Sequence, residues 1–343
     1  MKMRVVLVSV IMLISTQLLL CTEVQDKLNP AWVSYPGSPG PGQGKHIVLM
    51  SGDEEYRSEE TMPQLGKILS RHHGFRCTVL FAINPETGEI NPNEQKNIPG
   101  LEALQTADLM VIFTRFRDLP DVQMKHIHDY LQSGKPVVGL RTATHAFQLN
   151  QSKTYAQYDW RSKEHPGGFG RNVLGETWIS HHGQHGQQST RGLHAPGQAN
   201  HPILRGIHDG AVWGPTDVYG VRLPMLPDCT PLLLGQVLQG MHQDDPPLAG
   251  PKNQPMMPIA WIKTQDSNPR HPKRVFTTTM GASQDFQNEG LRRLLVNACY
   301  WCLEMEAQID GKAKVEIVGS FKPSSFSFGG FRKGVYPKDH DLK

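Results

Sequence analysis

Residues 136–147 read PVVGLRTATHAF. The apolar run Pro136-Val137-Val138-Gly139-Leu140 stops abruptly at Arg141-Thr142-Ala143-Thr144-His145. In an α/β protein a buried parallel strand reaches its carboxyl end in this way and turns into a helix. Hydrolases often place a serine nucleophile at that turn. Here the turn offers an arginine, which stays protonated at any working pH and is no nucleophile. Thr142 and Thr144 are hydroxyls, but neither lies in a G-x-S-x-G setting, which argues against an acyl-enzyme at this elbow. Arg141 is expected to orient a substrate or stabilise negative charge. His145, four residues on, suits a general acid or base, a metal ligand or a structural histidine.

Outward from this strand the same pattern repeats. HIVLMS (46–51), CTVLFA (77–82) and LMVIFT (109–114) are further continuous apolar runs. Between them lie amphipathic stretches. One begins at Ser58, with Glu59 and Glu60 in its first turn and Met62, Leu65, Ile68 and Leu69 on one face, and ends at Arg71 and Gly74. Another follows Pro120, with Val122, Ile127, Tyr130 and Leu131 on its apolar side and Gly134 as its stop. Apolar runs alternating with helices predict a doubly wound, mostly parallel sheet, with ligands gathering beyond the carboxyl ends of the strands. PLLLGQV (231–237), PIAWIK (258–263) and RVFTTTM (274–280) follow without full helical crossovers, so part of the sheet is expected to be mixed. A last helix is expected from about Asn288 to Met305, with Leu291, Leu294, Leu295, Ala298, Cys302 and Met305 on its core stripe.

The 343 residues divide into a targeting segment (1–22), a Pro/Gly-rich linker (23–44), an α/β domain (45–306) and a C-terminal extension (307–343). Lys2 and Arg4 precede an apolar stretch from Val5 to Leu20 that holds Ser9, Ser15, Thr16 and Gln17. It reads as an export signal and makes a poor permanent membrane span, so a periplasmic or extracytoplasmic protein is expected. An uncleaved signal anchor stays open. Lipid attachment at Cys21 is the weaker alternative, because Leu20 stands where bacterial lipoprotein signals carry a small residue. A formal charge of +3, dispersed along the chain, gives no basis for nucleic-acid binding. Cys299-Tyr300-Trp301-Cys302 has redox spacing but sits inside a helical pattern, where small apolar core residues are the plainer reading. The extension starts like an edge strand and carries Phe321, Phe326, Phe328 and Phe331, which would dock it over the domain or over a partner.

Three polar clusters follow the strands: Asp53-Glu54-Glu55 after the first, Arg115 after the third, and Arg141, Thr142 and His145 after the fourth. In a parallel sheet they share one crevice. Carboxylates accept from hydroxyls and arginine clamps oxyanions, so the mixture suits a polyhydroxylated or anionic small molecule. Mutual salt bridges that merely close the domain are the competing reading. The polar insertion at about 150–215 is long enough to be functional. It carries His181, His182 and His185 on a glycine-rich loop, which are candidate ligands for a divalent metal such as zinc or, otherwise, sugar contacts. His201-Pro202 reads as a turn into a short anchoring element.

HIVLMSGDEEYRSEE, KPVVGLRTATHAF, ANHPILRGI and RVFTTTMGASQDFQNEGLRRLLVNACYWCLE together resemble the ThuA-like (trehalose utilisation) proteins, most of all exported members of planctomycete type, over about residues 45–305. The resemblance implies a flavodoxin-like, class I glutamine amidotransferase-like fold in which Arg141 takes the place of the amidotransferase cysteine. It also implies carbohydrate metabolism, with trehalose or keto-disaccharides as substrates and no amidotransferase chemistry. The leading expectation is an enzyme of hydrolase or lyase type on a small-molecule carbohydrate, with homo-oligomers an option. Arg141, His145 and His182 are its catalytic candidates. Asp53, Glu54, Glu55, Arg115 and Thr142 are its substrate-binding candidates. A non-catalytic carbohydrate-binding or accessory protein is the alternative, and a redox module through Cys299 and Cys302 a third.

Overall fold

The computed structural model describes residues 31–264 and 274–342. The expected signal and Cys21 lie outside the described residues. Strands β1 (Trp32–Tyr35), β2 (His46–Gly52), β3 (Arg76–Phe81), β4 (Leu109–Thr114), β5 (Val137–Leu140), β6 (Thr190–His194), β7 (Val212–Gly214), β8 (Cys229–Val237), β9 (Met257–Thr264) and β10 (Arg274–Thr278) form one sheet. Their order is β1-β3-β2-β4-β5-β10-β9-β8-β6-β7. The block β3-β2-β4-β5-β10 is parallel throughout. The remaining pairings are antiparallel. The sheet is therefore mixed. Its antiparallel half is the region where the sequence lacks helical crossovers, which parallel strands require.

The apolar runs are continuous because both faces of the parallel block are covered. Along β2, Ile47 and Leu49 join one core with Met62, Leu65 and Leu69 of α1 (Ser58–His73) and Leu291, Leu294 and Leu295 of α3 (Glu289–Cys302). Val48 and Met50 point the other way, to Met124, Ile127 and Leu131 of α2 (Asp121–Gln132). Val122 faces solvent rather than the core: it lies in the first turn of α2, and Met124 takes the buried position. α1 ends at Gly74, whose φ of 82° is the left-handed conformation that closes a helix. α3 starts at Asn288, whose side chain accepts from the Leu291 amide (2.8 Å).

Two segments depart from the sequence reading. Trp32–Tyr35, within the expected linker, pairs antiparallel with β3 as an edge strand. Val33 and Tyr35 point inward and Ser34 outward, a period-two signal too short to stand out beside the prolines and glycines that follow. The extension forms no edge strand at its start. There the Ala313, Lys314 and Val315 carbonyls accept from Arg293, His73 and Arg292, so helix side chains satisfy what a ladder would have satisfied.

Cys299 and Cys302 are free and buried within α3, and burial pushes the Cys299 thiol up to about 12. The folded protein is expected to leave both unreactive toward an aromatic disulfide reagent, with both reacting once denatured. Rapid reaction of either in the native protein would remove them from the core. Among the described residues, no helix is long and apolar enough to cross a membrane.

Candidate functional site

The chain runs from β2 to β3 on one side and then returns to β4 on the other. The carboxyl ends of β2 and β4 therefore flank the point where the winding reverses, which is where open α/β sheets bind ligands. The three predicted clusters meet there. Asp53, fully buried, accepts from the amides of Glu55 (2.8 Å) and Tyr56 and from the Thr142 hydroxyl. Asp53 and Thr142 thus tie the ends of β2 and β5 to each other and offer nothing to the crevice. Glu54 is held between Arg115 and Arg117, the latter at 2.7 Å. Arg117, on the same loop after β4, is fully buried, and its pairing with Glu54 is one of the mutual salt bridges expected at this end of the sheet.

Arg141 keeps the strained backbone of an elbow, with φ 43° in the left-handed region. Its side chain turns inward and is fully buried. Nη1 donates to the Asp217 carbonyl (2.8 Å) and the Thr279 carbonyl (2.6 Å). Nη2 donates to the Tyr56 hydroxyl (3.1 Å) and Asp217 Oδ1 (3.0 Å). The guanidinium lies 4.4 Å from the Tyr56 ring centre and 3.8 Å from that of Tyr219. It is enclosed rather than presented to a substrate, and it acts on the crevice by positioning Asp217 and Tyr56. His145 is likewise enclosed among Phe116, Trp178 and Tyr219. Burial, with the charges of Arg115 and Arg141, holds it well below the usual imidazole range. It stays neutral at physiological pH.

The histidine loop folds over the crevice. A two-residue ladder, Ser180–His181 against Tyr219–Gly220, pins it. His181 Nδ1–H donates to Asp217 Oδ2 (2.7 Å) and His185 Nδ1–H to Asp217 Oδ1 (3.2 Å). One ligand atom from each of His181, His185 and Asp217 lies within 4.8 Å of the other two. His182 does not join them: it lies in the bend just past the two-residue strand, and its Nε2 meets the Lys252 carbonyl (2.7 Å). Asp217 takes the third position. Burial alone would raise its carboxyl, but hydrogen bonds from His181 and His185 and the charge of Arg141 hold it well below the usual carboxylate range. Asp217 lies in GPTDVYG, a stretch without periodicity, and its one sequence signal was an acid set just ahead of Val218-Tyr219.

Glu55 completes the group. It is 2% exposed, and its Oε1 accepts no hydrogen bond although His185 Nε2 stands 3.4 Å away. Burial pushes its carboxyl up against the pull of Arg115, whose Nε lies 3.5 Å from Oε2. A buried acid beside two imidazoles and a carboxylate has the make-up of a proton-transfer or metal centre. On the far side, Phe326 of the extension lies against Tyr56 and His185, with ring centres 5.5 and 5.2 Å away.

Two solved structures are similar across most of the chain. One is a ThuA-like protein from Bacteroides uniformis: TM-score 0.48, 15% identity, 78% of this chain and 95% of that one covered. The other is a ThuA-like protein from Parabacteroides merdae: TM-score 0.46, 14% identity, 83% and 97% covered. No curated protein matches the sequence. The ThuA family model, described as trehalose utilisation, matches residues 47–302, and the chain belongs to that family.

Proposed function

We propose that this protein acts on a sugar or sugar derivative at the cluster of Glu55, His181, His185 and Asp217, with hydrolase or lyase chemistry. The family's description, trehalose utilisation, indicates the substrate class. The reading takes the parallel block as a flavodoxin-like, class I glutamine amidotransferase-like core. It also includes export, with residues 1–22 as the signal.

The observation that carries the reading is the buried Oε1 of Glu55, which accepts no hydrogen bond and stands 3.4 Å from His185 Nε2. A buried carboxylate oxygen without a partner is costly, and such groups persist where a ligand or a reaction uses them. Glu55 is assigned as the acid or base that moves a proton on the sugar. Arg115, at the rim, orients the hydroxyls. His181, His185 and Asp217 would hold a divalent cation of zinc type, since two imidazoles and a carboxylate are a common donor set that leaves a position open. Such a cation supplies polarisation of a substrate oxygen. The protein's own part is to hold the three ligands, through Arg141 behind Asp217 and through the short ladder behind His181.

Elemental analysis after dialysis against metal-free buffer is expected to find close to one transition-metal ion per chain. Glu55→Gln is expected to keep that ion while turnover of trehalose or its keto derivative falls on the order of 10²–10⁴-fold. Failure to take up zinc when it is supplied would remove the cation. Saturable sugar binding with no product, metal present, would make the protein a non-catalytic carbohydrate-binding or accessory protein.

A further inference from the structure

The C-terminal extension lies outside the residues that match the family, yet it reaches the crevice. Its segment Phe326-Ser327-Phe328-Gly329-Gly330 is fastened on both sides of Phe328. The Ser327 amide donates to the Glu55 carbonyl (3.0 Å) and the Gly329 amide to the Glu54 carbonyl (2.8 Å). Arg57 Nη2 donates to Ser327 Oγ (2.8 Å), and its Nη1 to the Gly330 carbonyl. Asn93 Nδ2 donates to the Gly329 carbonyl (3.0 Å). The turn needs a glycine at position 329. Gly329 sits at φ 67°, and a Cβ on Gly330 would come within 2.7 Å of Arg57 Nη2.

This bracing holds Phe328 out of the core. The ring is 64% exposed, in contrast to Phe326, which packs inward on Tyr56. A lone exposed phenylalanine is ordinary on a protein surface, but this one is fixed at the rim of the site. Its ring centre lies 5.3 Å from the Arg115 guanidinium and 6.0 Å from the His185 ring. The Arg115 guanidinium thus lies over one face of the ring, on the side of the charged cluster, and the rest of the ring is open to solvent. A flat apolar surface beside carboxylate, imidazole and guanidinium groups matches the two-sided chemistry of a pyranose. Such a ring presents C–H groups on a face and hydroxyls at its edge.

We infer that Phe328 is a stacking platform for a pyranose ring, so that the extension supplies one wall of the sugar site. The inference rests on the reading of the cluster as a sugar site. It adds that affinity for the sugar depends on a residue beyond the family domain.

The test is calorimetric titration of the full chain with glucose and with trehalose, for wild type, Phe328→Ala and Phe328→Trp. Phe328→Ala is expected to weaken binding about 3- to 10-fold, the size of one aromatic stacking contact. Phe328→Trp is expected to bind at least as tightly as wild type. Thermal midpoint and metal content should stay at the wild-type values in both, since the side chain is exposed. Equal affinity of wild type and Phe328→Ala would overturn the inference and leave the sugar site standing. Failure of wild type to bind either sugar would overturn the site reading, and the inference with it.

Discussion

Arg141→Met is expected to lower the free energy of unfolding by roughly 3–5 kcal/mol, the usual cost of breaking a buried ion pair by removing one partner. The Arg141 guanidinium and the Asp217 carboxylate are both fully buried, 3.0 Å apart. Methionine fills the space but leaves the Tyr56 hydroxyl and two carbonyls without their donor. Arg141→Lys is expected to recover only part of the loss. A lysine ammonium cannot span Asp217, Thr279 and Tyr56 at once, nor lie flat between the Tyr56 and Tyr219 rings. Urea unfolding followed by circular dichroism measures both. A stability loss below about 1 kcal/mol with a large rise in KM would mean that Arg141 meets the substrate rather than Asp217.

The second large effect belongs to Asp217→Asn. The substitution keeps the shape and removes the charge that His181, His185 and Arg141 all face. Zinc affinity, measured by competition with a chromophoric chelator, is expected to fall on the order of a hundredfold or more. The stability change has a sign in pH. The folded carboxyl is held below its ordinary value, so it contributes stability above the unfolded carboxylate pKa of about 3.9, and that contribution is lost as pH falls further. The gap in thermal midpoint between wild type and Asp217→Asn is therefore expected to be widest near neutral pH and to narrow below about pH 4. A gap unchanged down to pH 3 would show that the ionised carboxylate is not what the fold holds.

Both predictions turn on residues that carry their meaning only in three dimensions. Arg141 was legible as an anomaly, an arginine where a nucleophile would stand. Which way its side chain points was not, because a strained elbow can turn a side chain outward or inward. The inward turn depends on Asp217, 76 positions later, and on Tyr56, 85 positions earlier. His182 and His185 are equivalent on composition and spacing. Past the ladder His182 turns to the Lys252 carbonyl, and the loop then brings His185 back to Glu55.

The sequence by itself determined the parallel block, its helices and the end of the sheet at which the polar clusters gather. Those features come from local patterns: apolar runs buried on two faces, helical stripes buried on one, and a glycine where α1 stops. The antiparallel half was legible only as missing crossovers. The tertiary structure decided which charges are spent closing the sheet and which converge beyond it. Asp53, Thr142 and Arg141 are consumed in closing the sheet, whereas Glu55, His181, His185 and Asp217 converge. It also decided that the extension folds back to set Phe328 at the rim. Such choices depend on desolvation and pairing between groups far apart in the chain, and no local pattern of residues encodes them.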